Sequence, residues 1–229
     1  MKMMTKDWDQ HVVEAEDVAR RPGFQDLRDQ IITRAGVTTA DEVIDIGAGT
    51  GLLTLRLAPT VGQVWALDIS PAMCEYLRAK TASAGLANVE PIVASAVSIP
   101  LVDESIDVAV SNYCFHHLGD REKERALAEA ARVLRPSGRL VFGDMMFRVA
   151  LNDARDRRVL SSKVRSMVRK GPAGIARLAK NGARLATARW EKPARAEWWE
   201  GALHRAGFVD VIVQPLSHEG GIASARKPV

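Results

Sequence analysis

Apolar residues recur along this chain at two spacings, and the switches between them mark out alternating elements. From Trp8 to Ala35 they fall at helical intervals, Val12, Val13 and Val18, then Phe24, Leu27, Ile31 and Ile32, with Pro22-Gly23 dividing two helices. At Asp41 the pattern contracts to a continuous run, Val43-Ile44-Asp45-Ile46, which ends in glycines before helical spacing returns over Leu52–Leu57. Val64–Asp68 reads as a second strand, and the helix after it opens at Ser70-Pro71 with proline at its first position. Val89–Val93, Ile106–Ser111 and Arg139–Gly143 supply three more strands, the last two separated by a helix over Arg121–Leu134 that stops at Pro136-Ser137-Gly138. Strands that alternate with helices pair in parallel through right-handed crossovers, so the fold class is α/β.

After Phe147 this rhythm breaks into Arg/Ala-rich helical sequence interrupted at Gly171-Pro172-Ala173-Gly174, and it resumes with a helix from Glu197 to Gly207. Phe208–Gln214 and Ile222–Ala225 then close the pattern. The link between them has no room for a crossover helix, so these last two strands are predicted to pair antiparallel.

Composition narrows the class. At 229 residues and 47% hydrophobic content, one α/β domain with an insertion is expected. No apolar stretch approaches the roughly 20 residues of a membrane-spanning helix, and the charged opening sequence lacks a secretory h-region, so a cytoplasmic protein with no membrane partner is expected. Cys74 and Cys114 stand alone and read as reduced core thiols. The formal charge of +4 hides an asymmetry: residues 148–192 hold 13 Lys+Arg and 3 Asp+Glu, a net of +10 that leaves −6 for the rest.

The chemistry concentrates at Val43-Ile44-Asp45-Ile46-Gly47-Ala48-Gly49-Thr50-Gly51. Glycines at the end of a first parallel strand let the backbone turn sharply and approach a ligand, while the next helix aims its free amides at the same space. The nicotinamide fingerprint needs its third glycine where Leu52 stands, so the GxGxG spacing argues against a dehydrogenase. Asp68 ends the second strand, where a carboxylate can accept from both hydroxyls of a ribose; it reads alternatively as an acid at a helix start. Ile69 and Met73 follow at positions suited to a flat base or to core packing.

Four segments between about residues 40 and 145 resemble, in order and spacing, the class I S-adenosylmethionine-dependent methyltransferases, in the group that includes ubiquinone and menaquinone biosynthesis enzymes and many small-molecule methyltransferases. They are the glycine strand at 43–51, Asp68 with Ser70 and Met73, Ser111-Asn112-Tyr113-Cys114-Phe115-His116-His117-Leu118, and Leu134-Arg135-Pro136-Ser137-Gly138-Arg139-Leu140. The resemblance implies a Rossmann-like seven-stranded sheet, mostly parallel with the last strand antiparallel, with helices on both faces. It implies S-adenosylmethionine as cofactor and S-adenosylhomocysteine as product, held by Asp45, Gly47, Ala48, Gly49, Gly51, Asp68, Ile69, Met73, Ser95, Ala96 and Asn112. Ser95 departs from relatives that carry an aspartate there, and a hydroxyl accepts from the adenine amine less strongly than a charge.

His116 and His117 follow the fourth strand and are candidates for the base that deprotonates an acceptor; the alternative is that the pair supports the fold. Asp144 is a weaker candidate for contacting the acceptor. Methyl transfer from a sulfonium gains most from alignment and exclusion of water, so the absence of a triad or of metal-ligand spacing is no objection.

One domain is therefore expected over 1–229: an N-terminal helical cap (1–36), a cofactor-binding core (37–147), a basic helical lid insertion (148–196) and a closing helix with two strands (197–229). Val159, Val164, Met167, Val168, Ile175, Leu178, Leu185 and Trp190 are expected to form the lid's buried stripes. Its charge suits a carboxylate or phosphate on a small substrate, or an RNA backbone; the single interleaved aromatic, Trp190, favours the small molecule over tRNA. A non-catalytic cofactor-binding protein is the remaining alternative, and both a monomer and a homodimer are compatible with the sequence.

Overall fold

A computed structural model describes residues 8–147, 154–169, 171–172, 174, 176 and 192–229. Seven strands form one sheet: β1 (Glu42–Ile46), β2 (Gln63–Asp68), β3 (Val89–Val93), β4 (Ile106–Asn112), β5 (Leu134–Met145), β6 (Val209–Pro215) and β7 (Gly220–Arg226), in the spatial order β3-β2-β1-β4-β5-β7-β6. The first five run parallel, whereas β7 pairs antiparallel with both β5 and β6, as the short link before it requires. β5 begins earlier than its apolar run suggests, because Leu134 pairs with Ile106 across an irregularity and Ser137 turns at a φ of 65°.

Neighbouring residues along each central strand enter different cores. Val43, Val108, Val110 and Val141 face one cluster, while Ile44, Ile46, Ala109, Leu140 and Phe142 face the other. Continuous apolar runs are what a sheet covered on both faces demands. The described helices are α1 (Val12–Ala19), α2 (Pro22–Ala35), α3 (Thr54–Leu57), α4 (Pro71–Ser83), α5 (Asp120–Val133), α6 (Ala154–Val168) and α7 (Ala196–Arg205), of which α2, α3, α4, α5 and α7 pack on the strands. On α5, Lys123, Ala126, Leu127, Ala130 and Val133 make the buried stripe. On α7, Trp199 lies 4.8 Å between ring centroids from Phe142.

The N-terminal cap contains two different helices. α2 buries Leu27, Ile31 and Ala35, and a Cβ on Gly143 would lie 2.7 Å from Leu27, so this glycine lets the helix sit directly on the sheet. α1 buries no side chain, and Val13 is exposed despite the helical spacing that placed it with the core residues.

Part of the basic insertion lies outside the described residues, including Leu178, Leu185 and Trp190. Where α6 is described, Val164 and Val168 are exposed and do not form the expected buried stripe; Asp156 is the buried residue, and Arg195 donates to it at 3.3 Å. No helix among the described residues is long and apolar enough to cross a membrane.

Candidate active site

The site begins where β1 runs out. Gly47, Gly49 and Gly51 adopt φ values of +76°, +52° and +92°, a left-handed backbone that L side chains rarely tolerate. A Cβ at Gly47 would meet the Cys114 Sγ at 2.4 Å, and one at Gly51 would meet Leu77 at 2.5 Å, so both turns are closely packed from one side. Beside Gly49 there is open space. The amides of Gly47 and Ala48 donate to the Leu67 carbonyl at 2.8 and 2.9 Å, which fastens the turn to the end of β2.

Two carboxylates brace it. Asp45 lies beneath the turn, 1% exposed, and accepts from the Thr54 hydroxyl at 2.6 Å and the Thr54 amide at 3.1 Å. Burial pushes its carboxyl up to about 7, with the Thr54 hydrogen bonds opposing and the nearby charge of Asp68 adding to the rise. Asp45, expected as a cofactor contact, holds the first turn of α3 against the glycine loop through Oδ2. Asp68 is anchored by the amides of Gly49 and Ser70, each at 2.9 Å, and burial holds its carboxyl above the usual range.

The other predicted donor-side residues divide. Ile69 is half exposed, whereas Met73 is buried, its amide bonded to the Ser70 hydroxyl that caps α4. Ser95 and buried Ala96 follow β3, with the Ser95 hydroxyl accepting weakly from the Val97 amide at 3.4 Å. At the end of β4, Asn112 has both its side-chain nitrogen and its side-chain oxygen buried without a hydrogen-bond partner. Leaving such groups unsatisfied costs about 1–3 kcal/mol each, so the position points to a ligand that completes them.

The opposite wall follows β4. His116 is 5% exposed and its Nδ1 lies 2.6 Å from Asp144 Oδ1, while its backbone amide donates to Asp144 Oδ2 at 2.9 Å. Asp144 is fully buried and also accepts from the Met145 amide. It therefore orients the imidazole and does not reach toward an acceptor as expected. His117 packs against Trp8 with ring centroids 4.5 Å apart and against His116 at 3.9 Å, and Tyr113 stacks at 4.5 Å on Phe24. Cys114, whose thiol burial raises far out of its reactive range, and Cys74, pushed up to about 11, are unactivated thiols.

Sequence reasoning passed over Lys123. Its fully buried ammonium donates to the carbonyls of Leu118 at 2.9 Å and Lys192 at 2.6 Å and to Asp120 at 3.3 Å, stapling the histidine loop to the chain that leaves the insertion. The signal was present, because Lys123 occupies the apolar stripe of α5. Asp9, which accepts from the Ser70 hydroxyl and from the Ala72 amide at 3.2 Å, had no such signal. Among the described residues no three His, Cys, Asp or Glu side chains are grouped to hold a metal ion.

Residues 43–138 match the family model described as a methyltransferase domain. Over that stretch the chain is similar to class I methyltransferase domains. An uncharacterized methyltransferase of Oceanobacillus iheyensis is 37% identical over 52% of this chain and 54% of its own length. A ubiquinone/menaquinone biosynthesis C-methyltransferase of Francisella tularensis subsp. novicida is 35% identical over 49% and 46%. The chain thus spans about half the length of the curated relatives it matches. The crystal structure of an S-adenosylmethionine-dependent methyltransferase from Aquifex aeolicus superimposes with a TM-score of 0.66 at 22% identity, covering 95% of this chain and 97% of that one.

The cofactor of a class I methyltransferase domain is S-adenosylmethionine. The residues present fit it: the open space beside Gly49, the anchored Asp68 carboxyl and the unpartnered Asn112 all lie at the carboxyl ends of the adjacent strands β1, β2 and β4.

Proposed function

We propose that this protein transfers a methyl group from S-adenosylmethionine to a small-molecule acceptor. The observation that carries the reading is Asn112, whose buried amide lacks a partner beside the glycine turn. Asn112 would meet the methionine end, Gly47–Gly51 would cradle it without side chains in the way, and Asp68 would accept from the ribose hydroxyls. Ile69 would cover one face of the base, with Ser95 and Ala96 at its edge. When bound, the cofactor supplies an electrophilic methyl on a positively charged sulfur.

On the other wall, His116 holds Asp144 through Nδ1, which leaves Nε2 as the nitrogen able to take a proton from an acceptor hydroxyl or amine. This supports His116 over His117 as the base, since the His117 ring is engaged edge to face with Trp8. The surrounding rings of Trp8, Tyr113 and Phe24 exclude water and favour alignment.

The basic stretch at 148–192 suits an anionic group on that acceptor. Incubation with methyl-labelled S-adenosylmethionine and, separately, a metabolite extract or bulk tRNA tests the reading. Label is expected in the small-molecule fraction. Label in tRNA, with binding that weakens steeply with salt, would transfer the assignment to RNA, and cofactor that binds but is never consumed would leave a non-catalytic binding protein.

A further inference from the structure

Residues 8–19 cross the mouth of the cofactor cleft. In the sheet β1 lies between β2 and β4, so a segment that touches the ends of both β2 and β4 must pass above the glycine turn that ends β1. This segment does so. Trp8 packs on His117 after β4, at 4.5 Å between ring centroids. Asp9 accepts from the Ser70 hydroxyl and the Ala72 amide at the start of α4, after β2. Two turns farther along, Glu16 pairs at 2.9 Å with Lys80, whose ammonium also donates at 3.0 Å to the Thr50 carbonyl within the glycine turn.

The attachment is polar and peripheral. α1 buries no side chain, whereas α2, directly after it, is fixed by fully buried Leu27, Ile31 and Ala35. Between them Arg21 is extended, with φ −73° and ψ 139°, and Pro22 starts the fixed helix. A segment held by ring and hydrogen-bond contacts beside a helix held by core residues opens locally at small cost while the core stays folded.

We propose that residues 8–19 are a gate for the cofactor, hinged at Arg20-Arg21-Pro22 and latched by Trp8 and Asp9. The latch senses occupancy through a short chain of contacts: Asp9 holds Ser70, and the Ser70 amide holds Asp68, the carboxylate assigned to the ribose. Opening admits or releases the adenosyl ligand; closing seals it and completes the aromatic wall at His117. This inference rests on the cofactor reading above.

The experiment follows S-adenosylhomocysteine entering and leaving the 229-residue chain by stopped-flow mixing and chase, for wild type, Trp8→Ala, Asp9→Asn and the double variant, with thermal unfolding as a check on the fold. In the double variant, association and dissociation are both expected to accelerate by about tenfold, with the dissociation constant moving much less than either rate. Rates equal to wild type overturn the gate and leave the cofactor site standing. Faster release with unchanged entry also overturns it, by marking Trp8 or Asp9 as direct ligand contacts. Failure of folded wild-type protein to take up S-adenosylhomocysteine overturns the cofactor reading itself, and the gate with it.

Discussion

The two walls of the cleft are built on different plans. On the donor side the decisive contacts join residues close in the chain: Asp45 to Thr54, Gly49 to Asp68, and Asp68 to Ser70. Backbone amides and glycine conformations do most of the work there, within one βαβ unit to which β4 adds Asn112. The acceptor side is assembled from distant pieces. His116 depends on Asp144 from the next strand, Lys123 ties the loop to Lys192, and Trp8 arrives from the N-terminal cap. A wall made of one local unit can stay fixed while the other, made of imported side chains, changes to suit different acceptors.

The largest test of that contrast is Gly47→Ala. Its Cβ would overlap Cys114 in a left-handed backbone, so stability is expected to fall by about 3 kcal/mol in urea denaturation, with loss of cofactor binding. An unchanged midpoint would show that the turn has slack. Next is Lys123→Met, which fills similar space but leaves two loop carbonyls without their donor. A loss of about 2 kcal/mol is expected, while S-adenosylhomocysteine affinity in calorimetry stays within about twofold of wild type. Affinity falling in step with stability would show that the walls are not independent. Asp68→Ala should move both quantities, weakening cofactor binding by at least about tenfold and lowering the melting temperature because the Gly49 and Ser70 amides lose their acceptor. Unaltered binding would remove the ribose assignment.

Legibility in the sequence followed the same division. The order and type of the five parallel strands could be read because each is a short apolar run closed by glycine, serine or proline, and the antiparallel final pair followed from a link too short for a helix. The place of Asp68 at the end of β2 was legible. The bond from Asp45 to Thr54 was not legible, since spacing does not say whether a carboxylate at a strand's end also accepts from the helix that follows the turn. The Asp144–His116 pair depends on the register between β4 and β5, and Trp8 on His117 depends on the path of the cap; neither is encoded in local periodicity. Lys123 was legible in principle, as a charge set within an apolar stripe. In α6 the helical spacing of Val164 and Val168 proved no guide to burial, because amphipathic spacing says which face is apolar and not what covers it.

The smallest expected effect isolates the donor wall by pH. With the Asp45 carboxyl at about 7 in the folded protein and at 3.8 as its ordinary value, the folded chain binds a proton that the unfolded chain has already released between those two limits. The contribution of Asp45 to stability is therefore fully present below about pH 4, declines as pH rises toward about 7, and is lost above it. Asp45→Asn removes the charge and keeps a carbonyl oxygen to accept from Thr54, although without the added strength of a charged acceptor. The two changes oppose, so the net gain at about pH 8 is expected to be on the order of 1 kcal/mol. The melting temperature of the variant relative to wild type should then rise steadily from about pH 5 to about pH 8 in buffers of equal ionic strength. A difference that stays flat across that range would mean that Asp45 is already ionised under the turn. The glycine loop would then rest on a buried charge and not on a neutral acid.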